Sequence, residues 1–184
     1  TGPVRIQELS LAPVSIMQAG VVSAGDEWEV RCKISYAGTE IPYAGVNVGL
    51  TVTPSKGITL TDVTKELPPF VATGEVAYVV GHLKIGEEVE NQTLLSLALQ
   101  LRRGGELVAS RSYTTKVFAL DVKLSEPWSA STLTAAAGKS FEVEVLLENK
   151  GMLDFNGGTL RYYWEGAETQ YVEKSLALLA HNAE

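Results

Sequence analysis

The sequence predicts an all-β protein that consists of two β-sandwich domains in tandem, the second of them incomplete. Along most of the chain, apolar residues alternate with polar ones at a period of two, and sustained helical spacing is nearly absent. Clusters of Gly, Pro, Asn and Ser separate these runs at intervals of about ten residues, as turns between short strands do. A segment of the first half also recurs in the second half, which indicates two domains of one kind.

Length and composition limit the possible classes of protein. The chain has 184 residues, of which 45% are apolar and 20% charged, so it can bury a core and is not a disordered tail. Its net charge of −7 argues against nucleic acid and anionic membranes as partners. No apolar run approaches the roughly 20 residues of a spanning helix, so we expect no membrane insertion. Because the chain begins with Thr1 and not Met, we expect a processed or excised chain.

Strands are predicted wherever apolar residues alternate. The clearest is at residues 28–36, where the apolar members are Trp28, Val30, Cys32, Ile34 and Tyr36. Such a strand buries one face and turns the other to water. The same pattern predicts further strands at residues 46–52, 58–60, 76–80, 95–101, 107–117 and 172–180. For the last of these, a helical turn is the alternative.

Residues 90–103 contain enough Leu and Ala to form a helix by propensity alone. The four leucines between 95 and 101 nevertheless fit a period of two, which favours a strand. Gly104 and Gly105 follow directly and predict a two-residue hairpin turn. The next strand should therefore return antiparallel, with Leu101 facing Val108.

The internal repeat defines the domain organisation. Residues 24–38 (AGDEWEVRCKISYAG) align with residues 137–151 (AGKSFEVEVLLENKG) at an offset of 137 − 24 = 113 residues. Each copy has an Ala-Gly turn, an aromatic residue that begins a strand, an alternating run and a closing Gly. The flanking segments correspond as well: residues 4–13 to 117–127, and residues 46–50 to 160–164. We therefore expect two domains, residues 1–120 and 121–184.

The second copy is shorter than the first. Residue 184 corresponds to residue 184 − 113 = 71, so the second copy ends before equivalents of the last three strands. Its inner face would then be open to a partner strand; the residues of this face are Phe141, Val143, Val145, Leu147, Tyr162 and Trp164. Three arrangements are possible: the chain is part of a longer tandem array, another chain adds the missing strands, or a reduced sandwich closes on itself.

Short strands with Gly-rich corners imply an immunoglobulin-like β-sandwich by pattern alone. The segment AGKSFEVEVLLENKG at residues 137–151 resembles the corresponding segment of CARDB domains, the cell-adhesion-related domains of bacterial and archaeal surface proteins. YYWEG at residues 162–166 resembles the strand and turn that follow there. GVNVGLTVTPSKGITL at 45–60 and VGHLKIGEEV at 80–89 resemble related conserved repeats of surface proteins. The resemblance implies an extracellular or cell-surface location and a non-catalytic role.

Residues suited to catalysis or metal binding are few. Cys32 alternates inward with its apolar neighbours, so we expect a buried thiol, and the chain has no second Cys for a disulfide. His82 and His181 have no ligand partner at metal-binding spacing, and no nucleophile-elbow motif occurs. We therefore predict no catalytic, metal or cofactor residues. Calcium stays an alternative at the partial loop 154–158 and at the acidic corners 26–27 and 87–88.

Two further residues suggest contacts with sugars. Aromatic rings can stack on sugars, but alternation puts Tyr162 and Trp164 on the core face, so only Tyr163 should point outward, and a single exposed aromatic is a poor platform for a sugar. Asn91, in Asn-Gln-Thr, matches a glycosylation sequon, although such matches also occur by chance.

These observations predict a non-catalytic extracellular structural or adhesive module. It would be a stalk, surface-layer or filament subunit that assembles through β-strand contacts with other copies of itself or with neighbouring domains of a longer chain. The alternative is a carbohydrate- or ligand-binding accessory module of a larger secreted protein. A phage or virion surface domain of the same fold is a third reading.

Overall fold

The computed structural model describes residues 2–125, 138, 145–163 and 166–183. The chain divides into two compact units, Thr1–Phe118 and Ala119–Glu184. All regular elements of the described residues are β-strands, which confirms the all-β prediction, and no helix in this part of the chain could span a membrane.

The strands of the first unit are β1 (Val4–Ser15), β2 (Glu27–Tyr36), β3 (Val46–Thr53), β4 (Ile58–Thr61), β5 (Gly74–Ile85), β6 (Thr93–Arg103) and β7 (Glu106–Val117). Those of the second are β8 (Val122–Ser125), β9 (Leu146–Asn149), β10 (Gly158–Tyr162) and β11 (Val172–Leu176).

The first unit contains two antiparallel sheets. One sheet has the strand order β1-β2-β5-β4 and the other has the order β3-β6-β7. In β2, every second side chain is buried, from Trp28 to Tyr36, while the residues between them are half-buried or exposed. This alternation follows from the pleat, because neighbouring side chains point to opposite faces of a sheet. The predicted strand at 28–36 is thereby confirmed.

The core lies between the two sheets. Val30 and Ile34 of β2 and Val80 of β5 are completely inaccessible to solvent on one side. On the other side, all four leucines of β6 between 95 and 101 are equally inaccessible. Each such side chain contributes about 1.5–3 kcal/mol by burial. A strand, and not a helix, is therefore correct for this segment, because a period of two brings all four leucines to one face.

The hairpin between β6 and β7 forms at the predicted turn. Gly104 and Gly105 have φ angles of 59° and 84°, the left-handed conformation that glycine adopts without strain. The predicted contact between Leu101 and Val108 is wrong by one residue, because Leu101 lies opposite Ala109. A β-bulge between Leu101 and Arg102 causes this shift, since it adds one residue to β7.

The end of β7 is bound to the connection between β1 and β2. Phe118 N–H donates to the Val22 carbonyl at 2.8 Å, and Ala24 N–H donates to the Phe118 carbonyl at 2.9 Å. Ser23 and Phe118 thus form a parallel bridge. The first strand begins at Val4, opposite Tyr36 at the C-terminal end of β2. The unit ends at Phe118, which lies beside Ser23, just before the N-terminal end of β2. The chain thus begins and ends at opposite ends of β2, which we call the two poles of the unit.

The second unit has two strand pairs among its described residues, β8 with β9 and β10 with β11. Of the described residues of this unit, only Asn149, Gly151 and Leu153 are buried. The predicted strand at 172–180 is confirmed as far as Leu176, while Leu179 forms an isolated bridge with Phe155.

The start of the second copy differs from the predicted alignment. Val117 is the buried last residue of β7, opposite Thr93, and so belongs to the first unit. Instead, Val122 lies opposite Asn149, as Val4 lies opposite Tyr36 in the first unit. Val4 thus corresponds to Val122 and not to Val117, so the predicted correspondence of residues 4–13 with 117–127 is wrong by five residues. The sequence alignment had assigned to the second copy a residue, Val117, that packs in the core of the first unit.

Candidate functional site

The predicted partner-strand face is only partly within the described residues. Val145 is 38% exposed, Leu147 is half-buried and Tyr162 is 53% exposed. Phe141, Val143 and Trp164 lie outside the described residues. The described members of this face are thus accessible to solvent to a degree that is unusual for inward-facing apolar residues of a sandwich.

The first unit shows what these positions look like when they are covered. At the repeat offset of 113, Val145 corresponds to Cys32 and Leu147 to Ile34. Cys32 is only 2% exposed, and Ile34 is fully buried. In the first unit, β2 lies between β1 and β5; among the described residues of the second unit, β9 pairs with β8 and has one bridge on its other side, from Asn149 to Ala183.

Asn149, at the end of β9, organises the adjoining corner. Its buried side-chain amide donates to the carbonyl oxygens of Leu153 at 2.8 Å and Leu179 at 3.0 Å. Its Oδ1 accepts from Gly151 N–H at 3.1 Å. The side chain thereby satisfies backbone groups of the tight corner that would otherwise be buried without partners. At the repeat offset of 113, Asn149 corresponds to Tyr36 of the first unit.

The segment from Phe155 to Ala183 repeats a detail of the first unit. In that unit, Tyr43 and Phe70 exchange two backbone hydrogen bonds of 2.9 Å each, and Gly74, four residues later, begins β5 opposite Tyr36. In the second unit, Phe155 and Leu179 exchange bonds of 2.9 and 2.7 Å.

Four residues after Leu179, Ala183 lies opposite Asn149, which donates to its carbonyl at 2.8 Å. Because Asn149 corresponds to Tyr36, Ala183 has the position that Gly74 has in the first unit. The chain at Ala183 therefore lies where β5 would begin.

The β10–β11 hairpin has one apolar and one polar face. Its register places Tyr162 opposite Val172 and Arg161 opposite Glu173. Since side chains alternate, Tyr162 shares a face with Leu160, which is half-buried. Tyr162 and Val172 are both largely exposed at the end of this apolar face.

The polar face of the hairpin carries an ordered group of side chains. The Arg161 guanidinium donates to one Glu173 oxygen from two nitrogens, at 3.2 and 2.7 Å, and lies 3.8 Å from the centre of the Tyr171 ring. Tyr163 follows and Tyr171 precedes the last pair of the ladder, Tyr162 and Val172, by one residue. Tyr163 is 51% exposed and Tyr171 is also exposed. We call Arg161, Tyr163, Tyr171 and Glu173 the tyrosine face.

The two histidines have carboxylate neighbours. His181 donates its backbone N–H to Asp154 at 2.9 Å, and its ring Nδ1 lies 3.1 Å from the same oxygen. These contacts lower the pKa of Asp154 from its usual value. His82 is 3.7 Å from Glu29 and 3.6 Å from Asp62, on the outer face of its sheet. In the described ranges, no group of three or more His, Cys, Asp or Glu side chains could hold a metal ion.

Asp26, one of the acidic residues considered for calcium, is fully buried and hydrogen-bonded to N–H groups. Its two oxygens accept from Met17 N–H at 2.9 Å, Ser23 N–H at 2.7 Å and Trp28 Nε1 at 3.1 Å. Sequence reasoning missed this role; the signal was an Asp two residues before Trp28, the second residue of β2. Both oxygens are directed at protein donors, so the carboxylate acts as a structural centre of the corner.

The other predicted residues are placed as follows. Cys32 is buried, and burial raises the pKa of its thiol to about 11. Asn91 is half-buried in the turn before β6, where the Thr93 hydroxyl donates to the Glu90 carbonyl at 2.7 Å.

A second corner, which sequence reasoning also missed, joins Arg103 to the connection between β2 and β3. Arg103 donates to both carboxylate oxygens of Glu40, at 2.9 and 2.7 Å, and to the Ala44 carbonyl at 2.7 Å. The guanidinium also covers the Tyr43 ring at 3.9 Å. No sequence signal pointed to this contact, because Arg103 and Glu40 are 63 residues apart.

No protein-family model matches the chain, and no match was found among curated proteins or solved structures.

Proposed function

We propose that the chain is a non-catalytic structural or adhesive module of an extracellular or cell-surface protein. In this proposal it consists of immunoglobulin-like domains and serves as a stalk, surface-layer or filament subunit. Its second unit is completed by β-strand contacts with a partner.

The strand order supports the immunoglobulin-like part of the proposal. Seven-stranded immunoglobulin domains of the constant type have one sheet of strands A, B, E and D and a second of C, F and G. Lettered in chain order, β1-β2-β5-β4 and β3-β6-β7 of the first unit give these two sets.

The observation that carries the functional proposal is the exposed apolar face of the second unit. Val145 is 38% exposed where its counterpart Cys32 is 2% exposed. Tyr162, Val172 and Leu178 are also exposed in the same unit. Apolar surface of this kind favours contacts with another polypeptide, because covering it releases water. In this proposal, the edge of β9 that faces away from β8 adds main-chain hydrogen bonds to the partner.

The test combines the molar mass in solution with hydrogen exchange. We expect one of two results: a monomer of 19.8 kDa whose β9 amides exchange much faster than those of β2, or larger species in which β9 is protected. A monodisperse monomer whose β9 amides exchange as slowly as those of β2 would contradict the proposal, because the second unit would then close on itself.

The tyrosine face supports a second candidate, a carbohydrate-binding module. Two exposed phenol rings can stack on the C–H faces of a sugar, and Arg161 and Glu173 can bind its hydroxyl groups. Glycan-array binding that Tyr163→Ala abolishes would favour this candidate. Tyr162→Ala is a matched control, since Tyr162 is equally exposed, at 53% against 51%, on the opposite face of the hairpin. Equal loss with both variants, or no binding, would exclude the tyrosine face.

A further inference from the structure

We propose that Asn156 and Gly157 form a self-modification site, at which the asparagine converts into aspartate and isoaspartate without an enzyme. The reaction consumes water and releases ammonia. It changes the second unit with age, because the isoaspartate product lengthens the main chain just before β10. This inference is independent of the proposed function, since it rests on one turn of the second unit and not on a partner.

The site lies in the turn between the Phe155–Leu179 bridge and the start of β10 at Gly158. Asn156 is exposed, and Gly157 has a φ angle of 98°, with which the chain departs from the strand conformation. Within the described ranges, neither the Asn156 side chain nor the Gly157 N–H has a hydrogen-bond partner. The side-chain carbonyl carbon and the main-chain nitrogen that follows it are therefore both available for reaction.

Glycine at position 157 removes the steric obstacle to this reaction. The attacking nitrogen belongs to residue 157, and a side chain there would crowd the five-membered ring that must form. Because the two reacting groups are neighbours in one chain, their encounter costs little translational entropy.

The chemistry proceeds in two steps. The Gly157 nitrogen loses its proton to solvent and forms a bond to Cγ of Asn156, while the Cγ–Nδ2 bond breaks and Nδ2 leaves as ammonia. The product is a succinimide ring. A water molecule then opens the ring at Cγ, which gives aspartate, or at the main-chain carbonyl carbon, which gives isoaspartate. The sum of both steps is one amide and one water converted into one carboxylate and one ammonium ion.

The chain has four other asparagines, and each lacks a part of this arrangement. The side chain of Asn149 is buried and makes three hydrogen bonds. Asn47 is followed by a valine and Asn91 by a glutamine, whose side chains crowd the ring. Asn182 is exposed, but the next residue, Ala183, has a side chain and donates its N–H to a carbonyl at 3.2 Å. The reaction should therefore be selective for Asn156.

Isoaspartate disturbs this turn because the space around it is filled. The product adds one atom to the main chain between Phe155 and Gly158. A Cβ atom at Gly157 would already lie 3.0 Å from the Leu176 carbonyl oxygen, and one at Gly158 would lie 2.9 Å from the Phe155 ring. The additional atom must therefore displace either the start of β10 or the bridge before it.

The Phe155–Leu179 bridge connects the turn to the buried corner at Asn149. The Leu179 carbonyl accepts from Phe155 N–H at 2.9 Å and from the Asn149 side chain at 3.0 Å. A displaced bridge weakens both contacts, so the amide protons of Phe155 and Leu179 should exchange faster with solvent.

The first test is ageing of the 184-residue chain at mildly alkaline pH, followed by trypsin digestion and mass spectrometry. Trypsin cleaves after Lys and Arg, so residues 151–161 form one peptide with Asn156 as its single asparagine. Asn182, in the peptide 175–184, is the matched control within the same chain. We expect Asn156 to convert at least about tenfold faster than Asn182, into two products of equal mass that separate by chromatography. Asn156→Gln should abolish the conversion of this peptide, because glutamine would have to close a larger ring.

The same experiment in urea tests the contribution of the folded turn. Unfolding should change the rate at Asn156 by less than about threefold, because its reacting groups are already available in the folded chain. The rate at Asn149 should rise on unfolding, because the fold holds its side chain.

The second test compares amide exchange of the isolated isoaspartate form with that of the unaged chain. Exchange at Phe155 and Leu179 should accelerate at least about tenfold, with no change in β2 of the first unit. Asn156→Asp is the matched control, since it carries the new charge without the additional main-chain atom, and should exchange within about threefold of the unaged chain.

Three outcomes would overturn the inference. The first is conversion of Asn156 no faster than that of Asn182, or slowed more than about tenfold by folding, since the turn would then protect the asparagine. The second is aspartate as the single product, since direct hydrolysis and not ring closure would then be the reaction. The third is an isoaspartate form whose Phe155 and Leu179 amides exchange as slowly as those of the unaged chain.

Discussion

Replacing Asp26 with Ala should destabilise the first unit strongly. The substitution removes the acceptor of three N–H groups, those of Met17, Ser23 and the Trp28 indole. Met17 is exposed and its N–H can bind water instead. Ser23 N–H and the Trp28 indole N–H are buried and would stay without a partner.

The magnitude follows from these two buried donors. A hydrogen bond to a charged group contributes about 1.5–3 kcal/mol, so their loss costs about 3–6 kcal/mol. The unfavourable burial of the Asp26 carboxylate disappears at the same time and offsets part of this. We therefore expect a loss of about 3 kcal/mol in the free energy of unfolding. With a urea m-value of about 1.5 kcal/mol/M, the midpoint should fall by about 2 M.

The assay is urea unfolding followed by tryptophan fluorescence and by circular dichroism. Asp26→Asn keeps one acceptor oxygen and should lose about half as much stability. Glu75→Ala is the control for an exposed acidic residue and should change stability by no more than about 0.5 kcal/mol. A loss below about 1 kcal/mol for Asp26→Ala would refute the reasoning, because the bonds to the carboxylate would then only balance the cost of burying it.

Three further outcomes are expected. Cys32, with its thiol pKa near 11, should not react with a thiol reagent at pH 8 in the folded chain and should react once in denaturant; rapid reaction of the folded chain would contradict its burial. Since the Asp154 pKa is lowered in the folded state, its contribution to stability is complete above its usual value of 3.8 and is lost as the pH falls through the lower folded value. Asp154→Asn should therefore reduce the acid dependence of unfolding of the second unit, and an unchanged pH profile would contradict this. Leu99→Ala should cost about 2–5 kcal/mol by urea unfolding, and a loss below about 1 kcal/mol would mean that the core collapses around the cavity.

The strands were predictable because their information is local. In β2 and β6 the buried residues are two apart in the sequence, so alternation alone identifies the inner face. Gly104 and Gly105 likewise identify their hairpin, since few other residues adopt its φ angles. The bulge that moves Leu101 opposite Ala109 has no such signal, because it depends on how two long strands twist together.

The candidate sites were less predictable for the same reason. The sequence predicted an inner face around Val145 that is open to a partner strand; Val145 is 38% exposed, and the partner strand stays a prediction. The position of Ala183 opposite Asn149 was not predicted, because it depends on the path of the chain through the residues between them, 150–182. The tyrosine face was only partly expected: Tyr163 was singled out, but its neighbours Tyr171 and Arg161 become apparent only from the hairpin register.

The parallel bridge at Phe118 has a consequence for how the first unit would carry tension. A pull on Val4 at one pole and Phe118 at the other acts along the length of β1 and β7. The ladder between β1 and β2 would then be loaded lengthwise, so that its bonds must fail together and not one after another. The bonds of Phe118 to Val22 and Ala24 hold the exit of the chain against the same connection that follows β1. Force that enters at one end is thus spread over many bonds before the core can open.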